Sequence, residues 1–485
     1  MVPFTPLYID GQEVPSSNKA TFEVINPASG KIVGQSASAS GEDCSTAVES
    51  AAKAFTTWQQ SGIAERRAIF LKAAEIVSTE TYKKKIVQAT QDETAAVDYW
   101  STLNWAGAGT LLRTAAGFLN ELGGKTLPSA LPGGKLETQR RPMGVILAIA
   151  PWNAPFTLTL RAVAIPIICG NTVVVKSSEY SPRSQAIVAE LFREAGLPNG
   201  VLNCLSMSKE VAPAMTAELI ANPKVRKINF TGSDRVGRII AIEAAKYLKP
   251  CVLELGGKAP VVVLDDADVT QAAKAIVFGS MVHSGQVCMS TERVIVQTGI
   301  ADSLITLVRD SAKALKAGDP KIDAATKLSA VFSEASADNI LSMIREAIEA
   351  GADLILGDLG RDGNVIQPHL LSGVKSGMRL WDRESFGPVV VFCVVDNIDE
   401  AIEMANASEY SLTAAVWTSN MYSAQRVSSS IRAGITHING PTTHTEPLLG
   451  SMGLGGASGY GRFDIDNFTD IRGIVTHPLD REYFL

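Results

Sequence analysis

At 485 residues and 51.4 kDa the chain is longer than one hydrophobic core usually organises, so two or three structural units are expected. Hydrophobic residues make up 46% and charged residues 19%, the balance of a globular protein. A formal charge of −6 and an isoelectric point near 5.6 leave no basic stripe, which argues against nucleic acid or an anionic membrane surface and favours small-molecule chemistry.

The opening MVPFTPLYIDGQEV has no basic stretch leading into an apolar one, and no run approaches the roughly 18 apolar residues of a membrane span. A cytoplasmic protein with no membrane association is therefore expected. Six scattered cysteines without C-x-x-C spacing predict neither a disulfide framework nor a zinc site, and five histidines without H-x-x-x-H spacing predict no metal.

LYIDGQEV reads as a hairpin around Asp10-Gly11. Ser40 and Asp43 then form a capping-box pattern, followed by Val48, Ala51, Ala52, Phe55 and Trp58 at helical spacing. Helical patterns continue to about residue 120. Residues 122–143, LGGKTLPSALPGGKLETQRRPM, are a Gly/Pro-punctuated excursion, either a linker or a protruding strand pair. From 144 to about 264 short β-branched runs (GVILAIA, TVVVK, VRKINF, CVLEL, PVVVL) alternate with helix patterns, one opening with Ser181 as N-cap and Pro182 at the first helical position. A second alternation, with VVVFCV and TAAVW, occupies about 265–440. This is the pattern of α/β units with parallel sheets covered on both faces.

In such sheets ligands gather at the carboxyl ends of the strands, where Pro151-Trp152-Asn153, Lys176-Ser177-Ser178-Glu179, Phe230-Thr231-Gly232-Ser233 and Glu254 fall. The run Phe230–Gly237 passes from strand to helix, so its free N–H groups can hold a pyrophosphate, although it lacks G-x-G-x-x-G and equally suits a glycine turn capped by Ser233. Lys176 and Glu179 can bind ribose hydroxyls, with the carboxylate disfavouring a 2′-phosphate, or can be a solvated ion pair. HSGQVCMST (283–291) places Cys288 where a packing residue and a nucleophile are both possible.

Taken together, PWN (151–153), VVVKSSEYSP (173–182), FTGSDRVG (230–237), LELGGKAP (253–260), GQVCMS (285–290) and ESFGPV (384–389) resemble the aldehyde dehydrogenase superfamily in type, order and spacing. The resemblance covers nearly the whole chain. GQVCMSTER and HINGPT are most similar to its aromatic-aldehyde branch, the salicylaldehyde, benzaldehyde and vanillin dehydrogenases.

The resemblance implies two doubly wound parallel-sheet domains and a small β flap. The Rossmann-like NAD-binding domain would take 1–122 and 143–253 with a return over 441–469, the catalytic domain 254–440, and the oligomerisation flap 123–142 and 470–485. It implies NAD, in preference to NADP, as cofactor, an aldehyde as substrate and a homodimer or homotetramer. Cys288 would be the nucleophile, Glu254 the base that activates water against the thioester, and Asn153 a donor to the oxyanion. Ile149, Ala150, Pro151, Trp152, Lys176, Ser178, Glu179, Phe230, Gly232, Ser233, Val236, Leu255, Glu384 and Phe386 would contact the cofactor. Ala154, Arg161, Val287 and Met289 would contact the substrate; a small Ala154 widens the tunnel for a ring, while Arg161 suits a substrate substituent or a structural salt bridge. Trp100, Trp105 and Phe463 fit either the pocket wall or the core.

Lys258 stays unassigned. Two departures from the family pattern are Ala457 in place of a lysine and Ser177 in place of a proline. The expected activity is NAD-dependent oxidation of an aromatic aldehyde to its acid. Alternatives are an aliphatic or semialdehyde dehydrogenase, transfer of the acyl group to coenzyme A, a structural protein without turnover, or a thiol hydrolase, for which only His283 is near and without a companion pattern.

Overall fold

A computed structural model describes residues 2–447, 450, 452–481 and 483. Two large sheets organise it. The first has eight strands in the order Gly459–Tyr460, Cys251–Glu254, Val225–Thr231, Val145–Ile149, Thr172–Lys176, Leu202–Leu205, Leu7–Ile9, Gln12–Val14. Its five central strands are parallel, and antiparallel strands close both edges. These strands are buried on both faces, which is why they read as continuous apolar runs with no alternation. The second sheet has seven strands in the order Asp353–Leu356, His369–Ser372, Val389–Val395, Thr291–Gln297, Ala259–Val263, Thr413–Trp417, Ile435–Ile438, with only the first antiparallel.

Local rules hold at the N-terminal end. The hairpin pairs Ile9 with Gln12, and Ser40 and Asp43 exchange the two bonds of a capping box at the helix Gly41–Trp58. The excursion after residue 122 is strand: Lys135–Pro142 pairs with Thr126–Pro128 on one side and Thr469–Thr476 on the other in a separate three-stranded sheet. Of the expected flap, residues 482, 484 and 485 lie outside the described residues.

Two local expectations are corrected. PVVVL, read with the first alternation, belongs to the second sheet, because Ala259–Val263 pairs with Thr291–Gln297 and Thr413–Trp417. Ser181 occupies the N-cap of Pro182–Ala195 but makes no side-chain cap bond. The Glu93 carboxylate, from the helix Glu80–Thr94, caps that helix instead by accepting the N–H groups of Arg183 and Ser184, each at 2.8 Å. A carboxylate takes two N–H donors where a hydroxyl takes one.

Candidate active site

Strand register assembles the residues expected to contact the cofactor. Ile149 is the Cα partner of Lys176 and of Phe230, and Thr231 is the partner of Glu254, so the carboxyl ends of four strands lie in one row. Strand order reverses between Val145–Ile149 and Val225–Thr231, which opens a crevice there. Gly232 donates its N–H to the Glu254 carbonyl at 3.1 Å, and a Cβ on Gly232 would stand 2.5 Å from the Phe230 ring. The helix Asp234–Lys246 starts there, with Ser233 accepting the Val236 N–H. Lys176 and Glu179 pair at 3.6 Å, and burial lowers the Lys176 pKa against the opposing pull of Glu179. Gln185 braces the same edge: it accepts the Ser178 N–H and donates to the carbonyls of Ala150 and Pro151 at 3.3 Å. A row of strand ends, a glycine step and a helix N-terminus fit a dinucleotide, with Lys176 and Glu179 on its adenosine side.

Cys288 arrives from the other sheet. Ala259 and Thr291 are Cα partners, so the segments just before them run side by side. A Cβ on Gly257 would lie 2.0 Å from the Cys288 carbonyl oxygen, so only glycine allows this approach. Glu384 enters from the segment before Val389–Val395 and accepts the Gly257 N–H at 2.9 Å; a Cβ on Gly256 would meet its Oε2 at 2.4 Å. Lys258, which sequence left unassigned, is fully buried and paired with buried Glu292, and Glu292 accepts the Ser385 N–H at 3.0 and 3.1 Å. This ion pair ties the Gly256-Gly257 step to the Glu384–Phe386 segment.

The electrostatics of the thiol follow from that crowding. Burial, then the Glu254 carboxylate, then that of Glu384, push the Cys288 pKa far above the ordinary thiol range. Burial and the negative charge of Glu292 raise Glu384 to about 8. All six cysteines are free; Cys44, Cys169 and Cys204 are buried, with pKa values pushed to about 12, while Cys288 is half-buried.

Glu254 is 2% exposed and ion-paired with Arg161, which reaches it from the helix Pro155–Ile168. Arg161 also donates to Thr231 Oγ1 at 3.2 Å and stacks on Phe463 at 4.5 Å. Of the two roles left open for Arg161, the salt bridge is present. Asn153, just before that helix, donates its Nδ2 to the Gln286 carbonyl at 3.0 Å, two residues before Cys288. Trp100, Val287 and Val282 form a small apolar cluster bordered by Ala154, Met289 and Phe278. Trp105 is not brought to it; it donates to the Val77 carbonyl at 2.6 Å and packs on the large core of the first sheet.

An aromatic seam escaped the sequence reading in part. Trp152 and Tyr180, from the first sheet, meet Phe332 at 4.6 and 5.4 Å, and Trp152 meets Phe386 edge-on at 6.0 Å. Phe332, Gln185 and Glu93 lie in no motif that marks them. Ala457 is fully buried, and its neighbour Ser458 donates to the Gly256 carbonyl at 2.7 Å; Ser451 of the same glycine-rich segment lies outside the described residues. Among the described residues no group of three or more His, Cys, Asp or Glu side chains is arranged to hold a metal ion, and no helix is long and apolar enough to cross a membrane.

The model of the aldehyde dehydrogenase family matches residues 14–472. A vanillin dehydrogenase of a Pseudomonas species is 42% identical over 482 residues, covering 99% of each chain. An NAD-dependent benzaldehyde dehydrogenase of Pseudomonas putida is 34% identical over 92% of this chain and 91% of its own. The crystal structure of a salicylaldehyde dehydrogenase from Pseudomonas putida G7, complexed with salicylaldehyde, superposes with a TM-score of 0.96 at 39% identity over 99% of each chain.

Proposed function

That the chain belongs to the aldehyde dehydrogenase family is the premise from which we propose that it oxidises an aromatic aldehyde to the carboxylic acid, with NAD as the oxidant. The observation that carries this reading is the convergence of Cys288, Glu254 and Asn153 where the carboxyl ends of one sheet meet the segments entering the other. The names of its relatives support an aromatic substrate, as does the apolar cluster of Trp100, Val287 and Met289 beside a small Ala154.

The reaction then runs on the chain's own groups. The resting Cys288 thiol is protonated, so Glu254 removes its proton as sulfur attacks the carbonyl carbon. The oxyanion of the resulting thiohemiacetal accepts hydrogen bonds from Asn153 Nδ2 and the Cys288 N–H, donors whose single loss typically costs about 10²–10³ in rate. The nicotinamide dinucleotide, when bound, supplies the acceptor for the hydride that leaves this carbon. Glu254 releases the thiol proton to solvent and then takes a proton from water, the water oxygen attacks the thioester, and the C–S bond breaks to release the acid and return that second proton to sulfur. Arg161, its ion-pair partner, holds the Glu254 side chain in place through both half-reactions. Glu384 and Phe386 would flank the nicotinamide ribose and ring, and the Glu179 carboxylate favours a free 2′-hydroxyl, hence NAD over NADP.

A homodimer or homotetramer belongs to the same proposal. Ile239 and Ile242 on the helix Asp234–Lys246 are 59% and 65% exposed and Leu248 is 92% exposed, an apolar patch of the kind that pairs with a second copy. The edge strand Thr469–Thr476 adds exposed Ile471, Ile474 and Val475.

The test is a panel of aliphatic, benzylic and hydroxybenzylic aldehydes followed by NADH absorbance. Cys288→Ser is expected to abolish NADH formation while NAD still binds, and Glu254→Gln to accumulate an adduct of acyl mass on Cys288. Turnover by the serine variant refutes the nucleophile. Higher kcat/KM for aliphatic aldehydes than for any aromatic one refutes the substrate class.

A further inference from the structure

His283 is 2% exposed, and neither ring nitrogen has a hydrogen-bond partner. Burial pushes its pKa down to about 3, so the imidazole is neutral, and a neutral imidazole still carries one N–H and one lone pair that go unanswered. Its backbone is left-handed (φ 51°), as is that of Ser284 (φ 56°) before Gly285, a conformation that a side chain disfavours. Two costs at one residue five positions before Cys288 call for a compensating role.

The contacts supply it. The ring stacks on Trp100 with centroids 5.2 Å apart and planes 10° from parallel. Trp100 Nε1 donates to the Asn153 carbonyl at 2.8 Å. On the other side, the His283 carbonyl accepts both the Gln286 N–H at 3.2 Å and Gln286 Nε2 at 3.0 Å. The Gln286 carbonyl in turn accepts one of the two Asn153 Nδ2 hydrogens, and an amide nitrogen keeps a second hydrogen to donate. Asn153 is therefore gripped at its backbone through the ring of His283 and at its side chain through the carbonyl of His283.

We propose that His283 is a positioning residue for the oxyanion donor Asn153, holding it through the Trp100 stack and the Gln286 turn. This rests on the role given to Asn153 above. The ring acts by its flat surface, not by its nitrogens, so a phenyl ring substitutes for it and a methyl group does not.

The experiment compares His283→Ala, His283→Phe, Asn153→Ala and the double variant His283→Ala/Asn153→Ala, with benzaldehyde and saturating NAD, by NADH formation and by the pre-steady-state burst. His283→Ala is expected to lower kcat/KM for the aldehyde by about 10–100-fold, the usual consequence of a misplaced reacting geometry, while KM for NAD moves less than about twofold. His283→Phe should stay within about threefold of the parent. The double variant should match Asn153→Ala within about threefold, because the two residues act through one donor.

Parent-like kcat/KM in His283→Ala, an equal loss in His283→Phe, or multiplicative losses in the double variant would each overturn the inference. Parent-like activity in Asn153→Ala would instead show that the oxyanion assignment itself is wrong. Should His283→Ala not fold, Trp100→Phe keeps a ring but removes the bond to the Asn153 carbonyl. It is expected to lose at least about tenfold without further loss in the Asn153→Ala background, and additive losses there would again overturn the inference.

Discussion

A thiol beside two carboxylates is a poor nucleophile until its proton has somewhere to go. Burial and the charges of Glu254 and Glu384 all favour the protonated form of Cys288, in the same direction. Alkylation by iodoacetamide, which needs the thiolate, should therefore accelerate about tenfold per pH unit from pH 6 to 9 in the cofactor-free protein, with no plateau. Peptide mapping would locate the label at Cys288, and a plateau below pH 8 would mean a thiolate already formed. The same crowding explains why Gly257 cannot be replaced: the Cys288 carbonyl occupies the space a side chain would need. Sequence made Cys288 visible through its motif. It left a salt bridge open for Arg161 without naming Glu254 as the partner, and offered no sign of the Lys258–Glu292 pair, because each joins residues tens of positions apart whose distance only the fold defines.

Helix Pro182–Ala195 shows how an element borrows its termination from elsewhere. Its own Ser181 stands at the cap position, yet the buried Glu93 carboxylate accepts two of its first N–H groups and the Ser184 hydroxyl. Removing that carboxylate in Glu93→Ala leaves buried donors unpaired, so a loss of about 1–3 kcal/mol of stability is expected by denaturant titration. The pH dependence has a definite sign. Burial raises the Glu93 pKa to about 7, so the folded chain holds this proton more tightly than the unfolded one. Its contribution to stability consequently falls as pH rises from the ordinary glutamate range to about 7, and is constant above. Melting temperatures between pH 5 and 7.5 should decline less in Glu93→Gln than in the parent, and identical slopes would exclude this linkage. Strand runs were equally clear as elements and equally silent about partners. CVLEL and PVVVL are separated by four residues, but one completes the first sheet and the other lies within the second.

At the scale of the molecule, two sheets meet with opposite polarity. Carboxyl ends of the first present the row of Ile149, Lys176, Thr231 and Glu254, while the segments entering Ala259–Val263, Thr291–Gln297 and Val389–Val395 bring Cys288 and Glu384 to it. The aromatic seam of Trp152, Tyr180, Phe332 and Phe386 joins the two sides. The exposed apolar patch at Ile239, Ile242 and Leu248 is the surface assigned above to a second copy. Replacing both Ile239 and Ile242 by Asp should reduce the mass in solution, measured by light scattering after size-exclusion chromatography, toward that of a single chain. An unchanged oligomer would place the interface elsewhere, with the edge strand Thr469–Thr476 next to be altered.

The order of motifs along the chain was enough to define the family and the α/β class and to name the side chains proposed as nucleophile, base and oxyanion donor, since each lies in a short local pattern whose chemistry is intrinsic to the residue. The hairpin and the capping box were legible for the same reason: their partners lie within a few residues. What only the tertiary structure decided were the couplings between distant positions: Glu93 with Ser184, Arg161 with Glu254, Gln185 beneath Pro151, and His283 against Trp100. Periodicity records which face of an element is buried, but not what it is buried against, and the charge state of a thiol depends on neighbours that sequence spacing does not contain.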